Sequence, residues 1–531
     1  MSKLKVLVAD PIAEKGLEEL SAGGALEVDI KLGLKESDLI SLAPEYDAFV
    51  IRSGVKITRA VIEAGKRLKA IGRAGVGVDN IDISAASQNG VVVMNTPGGN
   101  TVSTAEHAFT LMLSLARSIP QAHISVASGK WERKKFNGTE INGKTLAILG
   151  MGRIGSEFAR RALAFNMRVV AYDPYLTPAR AASLRVELAA NLEAALIEAD
   201  FITMHMPLTP ETKHMINATN IPKLKKGVRI INCARGGLID EAAAIEALNS
   251  GHLGGLALDV YEVEPPPADC PFFTMPNVVM TPHLGASTLE AQDNVGIEVA
   301  IAIREHLLHG AVVNAVNMPN LDEKTLSQAG PYMRFAEILG RVISQIAPAQ
   351  SERLRVNYSG KLSEMDTAII SRSVLKGYLE RAVGVDQVNL VNATSIADKL
   401  GLRLTESRLP NPGEFNETIE VIAGNADQKV VICGSYFGGK PRIVKINDRR
   451  VEAEPEGTLL MYENEDRPGM IGAVGMFLGK HNINIASMSL SRIKGGRAVT
   501  LLTLDNTPPP EVLTALEGIE GIKKAFCLTV S

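Results

Sequence analysis

From residue 1 to about 310, short apolar runs rich in β-branched residues alternate with stretches of helical period. KVLVAD, DAFVIR, LKAIGRAG and VVVMN fill the first quarter; TLAILG, MRVVAYD, DFITMH, GVRIINCA and GGLALDV follow. Each run is apolar at consecutive positions, the pattern of strands buried on both faces. Such strands alternating with helices predict an α/β fold with two doubly wound, Rossmann-like parallel sheets. A helical pattern from Thr101 to about Ser128 separates the two sets.

The rhythm then changes. NMPNLDEKTL (317–326) reads as a linker. Residues 327 to about 452 mix a helix, MDTAIISRSVLKGYLERAV, with the strands ETIEVIAG, KVVICGSYF and PRIVKIN, which predicts an α+β domain. The polar stretch EAEPEG leads into residues 457–531. There the order is β (TLLMY), α (469–480), β (INIASMSLS), β (RAVTLLTLD), α (about 510–518) and β (KAFCLTV), a βαββαβ unit.

A chain of 531 residues exceeds what one core supports and implies roughly three to four domains. It is 46% hydrophobic and 22% charged with net charge −3, and it has no run of Lys or Arg. That balance argues against a nucleic-acid partner. The opening MSKLKVLVADP reads as a strand from Leu4 to Ala9 and not as a signal peptide. No apolar stretch reaches the roughly 18 residues a membrane span needs. Cys233, Cys270, Cys433 and Cys527 are scattered and form no CxxC, so neither disulfides nor a zinc site is expected. A reducing cytoplasm is the natural compartment.

TLAILGMGRIGSEFARRALAFNMRVVAYD places Gly150-x-Gly152-x-x-Gly155 after a strand and at the start of a helix. Gly150 permits the tight turn, Gly152 lets backbone amides approach a pyrophosphate, and Gly155 allows close helix–strand packing. The helix N-terminus adds oriented N–H groups for the phosphates. Asp173 lies eighteen residues past Gly155 (173 − 155), where it accepts from ribose hydroxyls and repels a 2′-phosphate. The cofactor expected is therefore NAD. RAGVGVDN has Gly75-x-Gly77, but Asn80 stands where the third glycine belongs, so it reads as a backbone turn near the substrate.

Hydride transfer calls for a partner that moves a proton. GVRIINCARGG puts Arg235 past one strand end, LALDVYEVEPPP puts Asp259 and Glu264 past another, and VVMTPHLGAST puts His283 past a third. Post-strand loops of a doubly wound sheet converge on one cleft. Arg235 offers a planar fork for a substrate carboxylate. His283 exchanges a proton with the C2 hydroxyl. Glu264, paired with His283, orients the ring and stabilises the imidazolium. Taken singly, His283 also suits a hydrogen-bonded core position or a metal site, although the loops provide no second His or Cys at ligand spacing.

The segments LGMGRIG…YDP, INCARGGLID, LDVYEVEPP and PHLGASTLEAQ resemble the D-isomer-specific 2-hydroxyacid dehydrogenase family. IRSGVKIT, GRAGVGVDNID and NTPGGNTVSTAEHA extend the likeness into the first part. Within the family it points to long-form members that oxidise 3-phospho-D-glycerate to 3-phosphooxypyruvate, the first step of L-serine biosynthesis. Relatives acting on glycerate, lactate or 2-hydroxyglutarate, and NAD-sensing corepressor-like proteins of the same fold, are the rival readings.

The resemblance implies catalytic Arg235, Glu264 and His283. It implies cofactor contacts at Val76, Arg153, Ile154, Asp173, Met206, Pro207, Cys233, Ala234, Arg235, Asp259, His283, Gly285 and Ala286, besides the three glycines. Substrate would meet Arg52, Ser53, Gly54, Arg73 and Asn100, with Arg235 and His283. Lys134 and Lys135 would reach in from a second subunit, in a homodimer or homotetramer. The family fold further implies a discontinuous substrate domain (1–98 and 287–317) around a cofactor domain (99–286), then an intervening domain (318–452). This last resembles an allosteric substrate-binding domain.

ENEDRPGMIGAVGMFLGKHNINIASM resembles an ACT domain, an amino-acid-sensing module, over 457–531. By that resemblance L-serine binds at Asn464, Asp466, Gly469, Met470 and Asn484 between two paired modules. The alternative is a structural dimerisation element without a ligand.

Overall fold

A computed structural model describes residues 3–348, 351–409, 414–492 and 496–530. The first sheet holds β1 (Leu4–Val8), β2 (Leu26–Ile30), β3 (Ala48–Ile51), β4 (Ala70–Arg73) and β5 (Val92–Asn95), all parallel, in the order β2-β1-β3-β4-β5. The second holds β6 (Thr145–Leu149), β7 (Arg168–Tyr172), β8 (Glu187–Leu188), β9 (Phe201–Met204), β10 (Val228–Asn232), β11 (Leu253–Leu258) and β12 (Val278–Met280). Its order is β12-β11-β10-β9-β6-β7-β8, so the chain reverses direction across the sheet between β6 and β9. Ligands bind outside the carboxyl ends of the strands at such a switch point. Helices on both faces explain the continuous apolar runs: all five residues of β6 are buried.

After β12 the chain returns to the first sheet. The helix Leu289–His309 buries Val295, Val299 and Ile303 with Val6, Val50 and Met94. Asn317 Oδ1 accepts from Val93 N–H at 3.0 Å, and Val316 N–H donates to the Val93 carbonyl at 2.9 Å.

Two expectations need correction. The long helix is two, Thr101–Arg117 and Ile119–Ala127, because Ser118 is left-handed (φ 51°) and Pro120 follows one residue into the second. The stretch 317–326 is no free linker. Val312 and Leu321 exchange backbone hydrogen bonds at 2.8 and 2.7 Å, and the Asp322 side chain accepts from Thr325 N–H, capping the helix Glu323–Ile346.

The third sheet contains β13 (Arg353–Gly360), β14 (Arg403–Leu409), β15 (Glu417–Gly424), β16 (Lys429–Phe437), β17 (Lys440–Ile446) and β18 (Arg449–Ala453), in the order β14-β13-β15-β16-β17-β18. Only β13 and β14 run parallel. The helices Glu323–Ile346 and Ala368–Val383 share its core through Leu339, Val342, Ile370 and Val374.

The fourth sheet is antiparallel: β19 (Thr458–Glu465), β20 (Ile485–Arg492), β21 (Arg497–Leu504) and β22 (Ile522–Thr529), ordered β20-β21-β19-β22. Helices Met470–Lys480 and Pro510–Glu517 bury Leu460, Tyr462 and Leu502 on one face. Leu459, Leu501 and Leu528 on the other face join the core of the third sheet. Arg341 Nη1 donates to the Val530 carbonyl at 2.7 Å, and Gln345 exchanges two hydrogen bonds with Thr529. Two faces are therefore occupied, and at the β20 edge Glu452 N–H of β18 donates to Ser489 Oγ at 2.8 Å.

Candidate active site

A cleft of about 560 Å³ lies between the first two domains, at the carboxyl ends of the second sheet. Val76 and Asn100 line it from the first domain and the crossing segment. Arg153, Ile154, Met206 and Pro207 line it at the switch point, followed by Cys233, Ala234 and Arg235, and by Asp259, His283, Gly285 and Ala286. Glu264 reaches His283 from outside this lining. Arg52, Ser53, Gly54 and Arg73 do not line it, and Arg73 Nη1 lies against Gly75.

The glycine loop has the shape a pyrophosphate needs. A Cβ on Gly155 would sit 2.1 Å from the Gly150 carbonyl, and one on Gly150 would sit 2.6 Å from that of His205. Around Gly152 a Cβ would meet nothing within 4 Å, so the space at the start of the helix Arg153–Ala164 is open. Asp173, one residue past β7, accepts from Met151 N–H and Tyr175 N–H, each at 2.8 Å. Each oxygen keeps a second lone pair for a ribose hydroxyl. The loop, the open space and the carboxylate fit a dinucleotide.

His283 Nδ1 lies 2.8 Å from Glu264 Oε2, and Glu264 Oε1 accepts from Tyr261 N–H at 3.0 Å. The carboxylate is fixed by backbone and the ring by the carboxylate. This leaves the His283 Nε2 edge for exchange with a ligand.

The His283 backbone is left-handed at φ 56°, a conformation that needs support in a side-chain-bearing residue. Asp259 supplies it from full burial. Its Oδ1 accepts from Leu284 N–H at 2.7 Å and from Thr281 Oγ1 at 2.6 Å, and its Oδ2 accepts from Gly285 N–H at 2.8 Å. His107 Nε2 stands 3.2 Å from Oδ1. Burial alone would raise the Asp259 carboxyl, but the bonds from His107, Thr281 and the Leu284 amide outweigh it and hold it below its usual range.

Two other groups in the cleft are chemically silent. Burial pushes His205 down to about 3, which makes its ring a weak base. Burial, helped by Asp259, pushes the Cys233 thiol well up, away from thiolate chemistry. Among the described residues no group of three or more His, Cys, Asp or Glu could hold a metal ion.

At the other end of the cleft, Arg235 Nε donates to Asp79 Oδ2 at 3.2 Å and Nη1 donates to the Ala234 carbonyl at 2.7 Å. Asn232, buried at the end of β10, staples that loop through the Arg235 carbonyl (2.8 Å) and Ala234 N–H (3.0 Å). Asp10 does the same for the Arg52 loop, accepting from Arg52 N–H at 2.7 Å and Val55 N–H at 3.1 Å. Asn80, at the missing third glycine, donates to the carbonyls of Arg52 (2.7 Å) and Val55 (2.6 Å).

Asp79, Asn80, Asp10, Asn232 and His107 escaped the sequence reading. The signal that marks Arg235 and His283, a polar residue past a strand end, is also carried by Asp10 after β1 and, more distantly, by Asp79–Asn80 after β4. His107 lies mid-helix and gives no such signal.

In the fourth domain, Asp466 ion-pairs with Arg492 at 3.2 Å, while Asn464 is buried and donates to the Glu465 carbonyl at 2.8 Å. Gly469 (φ 92°) and buried Met470 open the adjacent helix. Asn484 is elsewhere, donating to Asp505 Oδ2 at 2.8 Å. Along β21 it sits by Leu504, whereas Asp466 follows the Glu465–Arg497 pair. Those seven residues (504 − 497) span about 23 Å at roughly 3.3 Å per residue. One chain does not bring Asn484 to Asp466.

Residues 109–285 match the family model of the D-isomer specific 2-hydroxyacid dehydrogenase NAD binding domain. Residues 328–447 match the D-3-phosphoglycerate dehydrogenase intervening domain, and 458–521 match the ACT domain. The chain is 43% identical over 522 residues to a D-3-phosphoglycerate dehydrogenase of Archaeoglobus fulgidus, covering 98% of each. The chain belongs to the D-3-phosphoglycerate dehydrogenase family. A Bacillus subtilis member is 41% identical, again with 98% of each chain covered. Among solved structures, an NAD+-bound 3-phosphoglycerate dehydrogenase of Entamoeba histolytica is similar with a TM-score of 0.51 and 31% identity, over 60% of this chain and 99% of that one. The family's cofactor is NAD, in keeping with the open glycine loop and Asp173. Among the described residues no helix is long and apolar enough to cross a membrane.

Proposed function

We propose that this chain oxidises 3-phospho-D-glycerate to 3-phosphooxypyruvate, the first step of L-serine biosynthesis. The observation that carries the reading is the backbone-anchored His283–Glu264 pair facing Arg235 across the cleft, beside the dinucleotide loop. Arg235 holds the substrate carboxylate by its guanidinium fork. Arg52 and Arg73 supply positive charge for the 3-phosphate. His283 Nε2 takes the C2 hydroxyl proton as the C2–H bond breaks, and Glu264 stabilises the resulting imidazolium. NAD, when bound, accepts the C2 hydride. In the reverse direction His283 returns the proton to the C2 oxygen. The test is NADH formation with a panel of D-2-hydroxy acids, with and without a 3-phosphate. Strong preference for 3-phospho-D-glycerate is expected; equal turnover of glycerate, lactate or 2-hydroxyglutarate would point to another member of the wider family. No turnover at all, with NAD still bound, would favour the NAD-sensing alternative.

Asp173 sets the choice of dinucleotide. Its remaining lone pairs bind ribose hydroxyls, and its charge repels a 2′-phosphate. Asp173→Ala is expected to raise the KM for NAD by about ten- to a hundredfold, the loss of two hydrogen bonds, and to narrow the preference over NADP. Comparable kcat/KM for the two cofactors in the unaltered protein would sink the claim.

L-Serine is the proposed effector, at Asp466 and the amides that open the helix Met470–Lys480. Asp466 accepts from the ammonium and the helix N-terminus donates to the carboxylate. Since Asn484 lies at the far end of its own sheet, it joins the site only from a second copy. Met488 and Leu490 of β20, exposed at 47% and 37%, offer apolar surface for that pairing. Lys134 lies near a second apolar face, Ile124, Val126 and Trp131, whose exposures of 65%, 55% and 79% favour a homo-oligomer. Titration calorimetry on the full chain is expected to show serine binding that Asp466→Ala abolishes. Silence at millimolar serine would leave the domain a dimerisation element. The four free cysteines suit a reducing, cytoplasmic setting.

A further inference from the structure

The loop Gly75–Val76–Gly77 runs between two guanidinium groups. A Cβ on Gly77 would meet Arg235 Nη2 at 1.9 Å and Asp79 Oδ2 at 2.8 Å, and one on Gly75 would meet Arg73 Nη1 at 2.3 Å. Only glycine lets the two cations lie so close against the backbone. Burial first, and then repulsion from Arg235, brings Arg73 down to about 10, with Arg52 adding to the repulsion. Arg73 Nε is buried without a hydrogen-bond partner. Three cations therefore crowd one end of the cleft. Among the described residues, Asp79 is the one carboxylate within ion-pair distance of any of them.

The form of that contact is informative. A carboxylate gripping the side edge of a guanidinium uses Nε and Nη2 together. Asp79 takes Nε alone, at 3.2 Å, from a side chain that is 74% exposed. An exposed single-contact pair is weak and easily displaced. Its negative charge nevertheless stands where the substrate carboxylate must arrive.

We propose that Asp79 is an intramolecular stand-in for the substrate carboxylate on Arg235, and so a residue that sets the affinity for carboxylate ligands while touching neither the hydride nor the proton transferred. The inference rests on the reading of Arg235 as the carboxylate clamp. Without Asp79 the nearest opposing charge is Asp10, already engaged by the Arg52 and Val55 amides, and the three guanidiniums would collect small anions. With Asp79 in place, an incoming acid must displace a carboxylate already present. A 2-hydroxy acid with one anionic group gains only Arg235 in exchange. One that also carries a 3-phosphate gains Arg52 and Arg73. The displacement cost is common to every acid that takes Arg235, and the phosphorylated acid offsets it with phosphate contacts that the unphosphorylated one lacks.

The test is steady-state kinetics on the full chain at fixed ionic strength, with Asp79→Asn, Asp79→Glu and Arg235→Lys. For Asp79→Asn, the KM for 3-phosphoglycerate is expected to fall about three- to tenfold, with kcat moving less than KM. Inhibition by inorganic phosphate should tighten, and the KM for D-glycerate should fall by a similar factor. Asp79→Glu restores the charge and should return these values toward those of the unaltered protein. A KM that rises in Asp79→Asn would make Asp79 a brace for Arg235 and overturn the proposal; so would an unchanged KM together with unchanged phosphate inhibition. Arg235→Lys separates the two ideas, because it should raise the KM whatever Asp79 does. If it does not, the reading of Arg235 has failed.

Discussion

Replacing His283 with Asn is expected to lower kcat by about two to four orders of magnitude while NADH still binds. The size reflects the loss of the group that exchanges the C2 hydroxyl proton. Asn is the informative replacement because it tolerates the left-handed backbone (φ 56°) that His283 adopts, and the loop can persist around it. NADH fluorescence titration checks the binding, and initial rates check the turnover. Glu264→Gln should be milder, about ten- to a hundredfold in kcat, since the amide oxygen can still orient the ring at the 2.8 Å contact while the charge is lost. Near-normal turnover in His283→Asn would remove the proton shuttle from this position. The rival ring is a poor substitute, since burial makes His205 a weak base.

Much of this arrangement is legible in the sequence because parallel strands are buried on both faces. TLAILG and DFITMH announce themselves by unbroken apolarity, and the loops behind them can then be searched for polar residues. Where that physical condition lapses, so does the signal. LEVDI (β2) is a sheet edge with two exposed positions, and RLTESRL (β14) is an edge strand with no buried residue at all. RLRVNYSG (β13) is central, but it alternates because one face packs on helices, and its polar half masks it. The return of residues 287–317 to the first sheet has no local signature. It is a long-range packing fact, carried by Val295, Val299 and Ile303, which the family resemblance supplied and periodicity did not. The second-layer residues were hidden for a related reason. Asp10 and Asn232 act through backbone amides and carbonyls, which have no sequence identity.

Asp259 carries the second large prediction. Asp259→Asn is expected to destabilise the cofactor domain by about 2–4 kcal/mol, a fall of roughly 5–10 °C in its melting transition, and to lower kcat by at least about a hundredfold. The carboxylate serves four donors: Leu284 N–H, Gly285 N–H, Thr281 Oγ1 and His107 Nε2. An amide has one oxygen, and its NH2 group would face a donor in a site fully closed to water. The residue just before Leu284 is His283, so a loosened loop misplaces the ring even though the substituted side chain never touches substrate. The pH dependence separates this account from a general packing loss. Because Asp259 is held below its usual range in the folded chain, its contribution is fully present above the unfolded carboxylate value of about 3.9 and is lost as pH falls through the lower folded value. The melting temperatures of the two proteins should therefore differ by a constant amount across neutral pH and converge only in acid below about pH 4. A gap that vanished already near pH 6 would show that the Asp259 carboxylate is not its source. A variant that melted early yet kept full turnover would break the link between the buried carboxylate and the placement of His283.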